Sequence, residues 1–415
     1  MIFAEKGSGY TLDNVIRSLG LEIQKDILAR YWDASCRDYP EDIDFLDEKF
    51  IISYNKYFGF PDDLLQIYNN TVDVINNDKN VKIFAWHLHK ILFKYGDREN
   101  AREILSCWPC LQKSLGERSY MFGAVIFVSG IKTALEIYKQ KGIPYTVAID
   151  TLDELLRWIN TYHRKTGKWG FSEYGWIYNH FCGELFRLGR LQFQPIKFNG
   201  KIIVYRNKAS NEILVYSQKG VKYRHDGHID GTSGIFDTQA AWVSKFRIRD
   251  GKIFGNRIIG NGTCSKETVE INKEEWVAVL KENDTVLNVH IPEGGKLDHD
   301  LCIESYNEAL AFFKIYFPDL NFKAFVCNSW LLDVQLKNIL SGESNIVKFQ
   351  NDFHAYPVYS PREAQMYERV FESYISNADD MPEHTLLQKA IKMYVKAGNF
   401  MRDGAGFILI NRVQP

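Results

Sequence analysis

The sequence has no excess of charge of either sign: Lys plus Arg number 51 against 52 Asp plus Glu, a formal net charge of −1. That balance excludes the electrostatic footprint of a nucleic-acid partner. It also lacks a long hydrophobic run. The most apolar stretch, "MFGAVIFVSG" from Met121, is far shorter than the roughly 20 residues a membrane span needs, so no transmembrane segment is expected. The opening residues, "MIFAEKGSGYTLDN", show no basic segment leading into an apolar one. No signal peptide is therefore expected, and the protein is expected in the cytoplasm.

Cysteine is scarce in a way that matters. Seven cysteines, odd in number and irregularly spaced, make no disulfide framework, so the thiols are expected to be reduced. Cys107 and Cys110 in "SCWPCLQ" have thioredoxin-like spacing, but no βαβ pattern precedes them and they read as ordinary thiols. No second such pair exists to complete a zinc site. His225 and His228, with Asp226 and Asp230 in "YRHDGHIDG", are metal-ligand types without a matching distant set, so no metal is expected. Internal repeats and low-complexity tracts are absent.

What the chain does have is length and aromatic side chains. Its 415 residues imply two or three domains. Aromatics at 14% will mostly fill cores, and the excess also suits an apolar ligand tunnel.

The first part reads as helices, with apolar residues three and four apart in "TLDNVIRSLGL", "DDLLQIYNNTVDVI", "VKIFAWHLHKILFKYG" and "DTLDELLRWINTYHRKTG". Asp or Thr opens several of these runs and Gly closes several. An all-helical domain is expected over residues 1–165. His87 and His89, two apart on a helix, point in different directions and are expected at the surface or in helix packing.

Over residues 166–415 the pattern changes. Short alternating runs such as "KIIVYRN" and "EILVYSQK" predict a strand meander, and "TVEINKEEWVAVLKEND" predicts a strand and a short helix. The run from Thr285 to Ile291 is a strand stopped by Pro292. Helical spacing follows over 300–317, then a second buried strand in "FKAFVCNSWLL". Strand, helix and strand make a βαβ unit with parallel strands. Further on, "VKFQNDFHAY" predicts a strand, "TLLQKAIKMYVKAG" a helix and "GFILIN" a last strand.

The turn "IPEGGKL" sits between the first strand of that unit and its helix. Gly294 and Gly295 let the backbone turn, and a helix N-terminus beyond them offers N–H groups to a phosphate. A simple tight turn with an Asp298 or Asp300 cap fits the same residues. Alternation places Asn288 and His290 on one face of the strand and Ile291 on the other. His290 thus stands at the reactive end of a strand, where it would serve as a general base or bond a neighbouring loop. Cys327 and Ser329 share a face of the second strand and Asn328 takes the other. Cys327 is either a nucleophile paired with His290 or a small buried hydrophobe. Arg187, Arg190 and Gln192 would pair with an acceptor carboxylate or tie the helix end to the sheet. Asp333 would cap the next helix or hold an acceptor amine.

Five segments in this order, "LFRLGRLQFQP", "DTVLNVHIPEGGKL", "CNSWLLDVQL", "SNIVKFQNDF" and "KAGNFMRDGAGFIL", resemble acyltransferases of the GNAT superfamily. More narrowly, they resemble a bacterial group in which a helical N-terminal domain precedes a divergent GNAT-like domain. The resemblance implies an α+β or α/β fold: an all-helical domain, then a mixed sheet with a central βαβ unit. It implies an acyl thioester donor, acyl-CoA or a carrier-protein thioester, entering where the two parallel strands splay. Its pyrophosphate would lie on Ile291, Glu293, Gly294, Gly295, Lys296 and Leu297. Catalysis would fall to His290, Cys327, Asn328 and Ser329, and acceptor binding to Arg190, Gln192, Asn288 and Asp333. The expected activity is direct acyl transfer to a small-molecule or peptide amine. A non-catalytic module binding acyl-CoA or a peptide, or a Cys327-dependent transferase or hydrolase, are the alternatives.

Overall fold

The structure, a computed structural model, describes residues 10–410. The chain forms two compact units, Met1–Arg187 and Leu188–Pro415. The division lies beyond residue 165 because the helix Tyr174–Phe181 belongs to the first unit, where the Tyr178 hydroxyl donates to the Leu92 carbonyl at 3.1 Å.

The first unit is helical for the reasons its sequence displays. Thr11 caps Leu12–Leu19 and Asp78 caps Lys79–Phe93 by accepting backbone N–H groups, while Gly20 and Gly167 close helices in the left-handed conformation. The helix Ser119–Ser129 is buried on every side. It lies in a helical run, Gln112–Gln140, whose length and composition alone would suffice for a membrane crossing. Its apolar window is 67% buried inside the unit, as a core helix would be. His87 and His89 are core residues of this unit. His87 bridges the Ser35 hydroxyl (2.8 Å) and the Leu28 carbonyl (2.9 Å), and His89 meets the Ser129 hydroxyl (2.8 Å).

The strands, in chain order, are β1 (Phe186–Leu188), β2 (Leu191–Lys197), β3 (Ile202–Asn207), β4 (Ile213–Ser217), β5 (Lys222–Tyr223), β6 (Trp242–Val243) and β7 (Phe246–Arg249). They continue as β8 (Lys252–Ile259), β9 (Thr263–Asn272), β10 (Trp276–Leu280), β11 (Thr285–His290), β12 (Ala324–Ser329), β13 (His354–Tyr356) and β14 (Gly404–Leu409). One sheet runs β1-β2-β11-β12-β14-β13, with β1 straddling the division between the units. A second sheet runs β10-β3-β4-β8-β7, with β9 on β8. Val204, Val215 and Leu280 of the second sheet and Val286, Val326 and Phe407 of the first share one core.

The βαβ unit stands as expected: β11 and β12 are parallel and the central helix, His299–Tyr316, joins them. Two expectations need correction. The segment after "TVEIN" is strand β10, not a helix, because its residues pair with the edge of β3. The first half of "VKFQNDFHAY" is a helix, Asn345–Asn351, because Ser344 caps it by accepting from the Ile346 N–H; only His354–Tyr356 is strand.

Candidate active site

The ladder between β11 and β12 holds two register pairs, Leu287 with Phe325 and Asn288 with Val326, though the strands run on to His290 and Ser329. On the outer sides pairing continues to the strand ends, His290 with Gln192 and Ser329 with Gly404. The two parallel strands therefore part at their C-terminal ends while remaining anchored outside. Backbone polar groups along such a cleft can bind an extended ligand as an added strand would.

The register decides which side chains meet. Partners across a sheet share a face, so Asn288, His290, Val326 and Asn328 lie on one side, and Leu287, Phe325 and Cys327 on the other. The Asn288 side-chain amide lies 3.0 Å from the Nε2 of His290. Asn328 is exposed on the same side. Gln192, opposite His290, is fully buried. The expected approach of Cys327 to His290 is not made. Cys327 is 1% exposed on the opposite face, and burial pushes its thiol up to about 12. It is built as a small hydrophobe. Ser329 is occupied as a cap, accepting from the Leu331 N–H at 3.2 Å.

The glycine turn differs in detail from the expected one. Gly294 (φ 95°) and Gly295 (φ 74°) both occupy the left-handed region. The central helix begins only at His299, and the Asp298 carboxylate already accepts from the N–H groups of Asp300 (3.0 Å) and Leu301 (3.4 Å). The first amides of the helix are thus already taken by Asp298. Arg190 fixes that turn. Its Nε donates to the Lys296 carbonyl (3.0 Å), Nη1 to Pro292 (3.0 Å) and Nη2 to Gly295 (3.4 Å). The guanidinium expected to bind acceptor is spent on holding three carbonyls, which the fixed fork of Arg suits.

Asp333 is likewise occupied. Its carboxylate accepts from the N–H groups of Gln335 (3.1 Å) and Arg402 (2.8 Å), joining the loop after β12 to the start of β14. Burial raises its pKa to about 6. Gly404 fits this junction because a Cβ there would collide with the Leu332 carbonyl. His225 contacts Asp237 at 2.9 Å, and no group of three metal-ligand side chains occurs among the described residues. Sequence reasoning missed Arg402, whose position against His228 no local spacing signals.

Residues 185–408 match the family described as the GNAT-like C-terminal domain, and residues 50–183 match the N-acyltransferase N-terminal domain. The chain belongs to this family of proteins with a GNAT-like C-terminal domain. Among solved structures it is similar to an acyltransferase mutant in complex with octanoyl-CoA, at 20% identity and TM-score 0.65, covering 96% of this chain and 99% of that one. It is also similar to an acyltransferase in complex with decanoyl-CoA and teicoplanin, at 19% identity and TM-score 0.63, covering 97% and 100%. At that identity the likeness shows a common fold. No curated protein matches the sequence.

Proposed function

We propose that this protein transfers an acyl group from acyl-CoA directly to an amine. The parting of β11 and β12 beyond Asn288 and Val326, with His290 at its edge, carries the reading. The donor would lie across the parted strands, its pyrophosphate on the Gly294–Gly295 turn and its thioester carbonyl on a strand amide, which stabilises the developing oxyanion. The amine attacks the carbonyl carbon, His290 accepts the amine proton, the C–S bond breaks, and that proton passes to the departing thiolate or to solvent. The Asn288 Nδ2 donates to Nε2 of His290, so for Nε2 to take the proton this amide turns its carbonyl oxygen toward the ring, where it accepts from the new N–H.

Three observations support the reading: the family membership, similar folds solved with octanoyl-CoA and decanoyl-CoA, and seven free thiols that fit a reducing compartment such as the cytoplasm. One similar acyltransferase is solved with teicoplanin, so glycopeptide amines belong in the acceptor panel beside small amines and peptides.

The test is calorimetric titration with octanoyl-CoA and free CoA, followed by CoA release on adding amines. Saturable binding with amine-dependent release supports the proposal. Binding without release under any amine makes the protein a binding module. Absence of binding by either ligand overturns the donor assignment.

A further inference from the structure

A second feature lies at the same end of the sheet. A cavity of about 30 Å³ is walled by His228, Asn261, Asp333, Tyr356, Arg402 and Asp403. Its place follows from register: Ser329 opposes Gly404 and Tyr356 opposes Ala405, so the cavity stands beside the C-terminal end of β12.

The unusual member is Arg402. It is half-buried, yet among the described residues its guanidinium makes no hydrogen bond or ion pair, and its Nε is sealed from solvent without an acceptor. Asp333 and Asp226 favour its charge from a distance, but among the described residues no carboxylate forms an ion pair with it, and each has closer partners. Asp333 accepts from two backbone N–H groups, Asp226 holds Arg224 at 2.6 Å, and Asp403 accepts from the Gln365 N–H at 3.0 Å. A sealed guanidinium N–H without an acceptor is costly, and such a group is ordinarily paired.

Two residues with neutral donors line the same space. Neither ring nitrogen of His228 has a partner among the described residues, and burial pulls its pKa down to about 4, so near pH 7 the ring is neutral and offers one N–H. Asn261 spends its Oδ1 on the Thr263 N–H (3.1 Å) and hydroxyl (2.7 Å), leaving Nδ2 without a partner among the described residues. Guanidinium, imidazole N–H and carboxamide NH₂ together match a carboxylate, which takes bidentate bonds from Arg. The space is about that of one or two waters, enough for a carboxylate and too small for a sugar ring or an acyl chain.

We propose that this cavity seats a carboxylate carried by the amine acceptor. This rests on the acyl-transfer reading above. β14 lies two strands from β11, about 10 Å at ordinary strand spacing, so amine and carboxylate must be separated by roughly that distance. An α-amino acid is too short, and a peptide of about three residues spans it.

The binding arm is independent of turnover: thermal melts of the intact protein in sodium acetate, sodium chloride and methylammonium chloride at equal ionic strength and pH. Acetate alone should raise the melting temperature, and Arg402→Gln should abolish the rise. The kinetic arm compares triglycine with triglycinamide as acceptors. The wild type should favour triglycine in kcat/KM by about tenfold or more, as a missing charge-assisted bond commonly costs. Arg402→Gln should remove that preference while leaving the apparent octanoyl-CoA constant unchanged. Should Arg402→Gln fail to fold, Asn261→Ala, which removes a donor on an exposed turn, should weaken both effects. A response to methylammonium instead, or to neither ion, overturns the cavity assignment. An acetate effect with equal use of the two peptides overturns the acceptor assignment. If no amine supports turnover, the acetate arm still decides the cavity, and the acyl-transfer reading has failed separately.

Discussion

The Asn288 amide and the His290 imidazole meet at 3.0 Å on one face of β11, just where its ladder with β12 ends. That contact orients the only histidine of the strand at the mouth of the cleft, and it implies a measurable charge coupling. His290→Ala should lower kcat by about 10²- to 10⁴-fold with the octanoyl-CoA constant little changed, the range general-base catalysis spans. Asn288→Asp should place a carboxylate beside the ring. The imidazolium is then favoured, its pKa rises, and the acid limb of kcat/KM shifts to higher pH. A profile that does not move under Asn288→Asp would remove His290 from the base role.

The turn at Gly294–Gly295 depends on backbone shape and on Arg190. Nothing stands within 4 Å of a Cβ placed on Gly295, so substitution there meets no collision and its cost is conformational. Gly295→Ala should cost about 1–2 kcal/mol because φ of 74° disfavours L side chains, whereas Gly295→Asn should recover part of it. Arg190→Ala should raise the apparent octanoyl-CoA constant, and Arg190→Lys should not restore it, since one ammonium cannot serve three carbonyls. Unchanged donor constants across these variants would detach the turn from donor binding.

How much of this could be read beforehand follows the range of the interactions. The βαβ unit was legible because Pro292 and two glycines interrupt an apolar run, all within a dozen residues. The capped helices of the first unit were legible for the same local reason. The cross-strand register was not, and it alone separates Cys327 from His290. Arg190 reaches a carbonyl 102 residues away, and nothing in "RLGRLQFQP" distinguishes that use from acceptor binding. The cavity depends on His228 and Arg402 meeting across two sheet regions. β10 and the helix Asn345–Asn351 were misread because alternation and helical spacing overlap in short apolar runs, and pairing with β3 or a Ser344 cap settles the matter.

Cys327 tests the direct route. Its buried face and a thiol pushed up to about 12 leave it no thiolate near neutrality. Cys327→Ala should keep kcat within a few-fold and lower stability by about 1–2 kcal/mol through lost packing. Mass spectrometry of protein quenched during turnover with octanoyl-CoA should show no acyl adduct on Cys327. An adduct, with activity abolished in Cys327→Ala, would restore the covalent route.

Acid sensitivity should arise from buried histidines, His87 and His89 in the first unit and His228 in the second. His87 is fully buried between Ser35 and Leu28, and desolvation lowers its pKa to about 4; His89, beside Ser129, is lowered to about 3. In the unfolded chain both titrate near 6.5. Between these values the unfolded state binds more protons than the folded one, so stability is complete above about pH 6.5 and falls as pH drops toward 4. The slope should approach about 1.4 kcal/mol per pH unit for each histidine. Urea unfolding of the wild type at several pH values between 7.5 and 4.5 reports this slope together with that of the carboxylates. His87→Gln retains hydrogen-bonding capacity toward Ser35 and Leu28 but does not titrate, so the difference between the two proteins isolates His87. A wild type that loses stability no faster than His87→Gln across that window would mean that His87 is already protonated in the folded state.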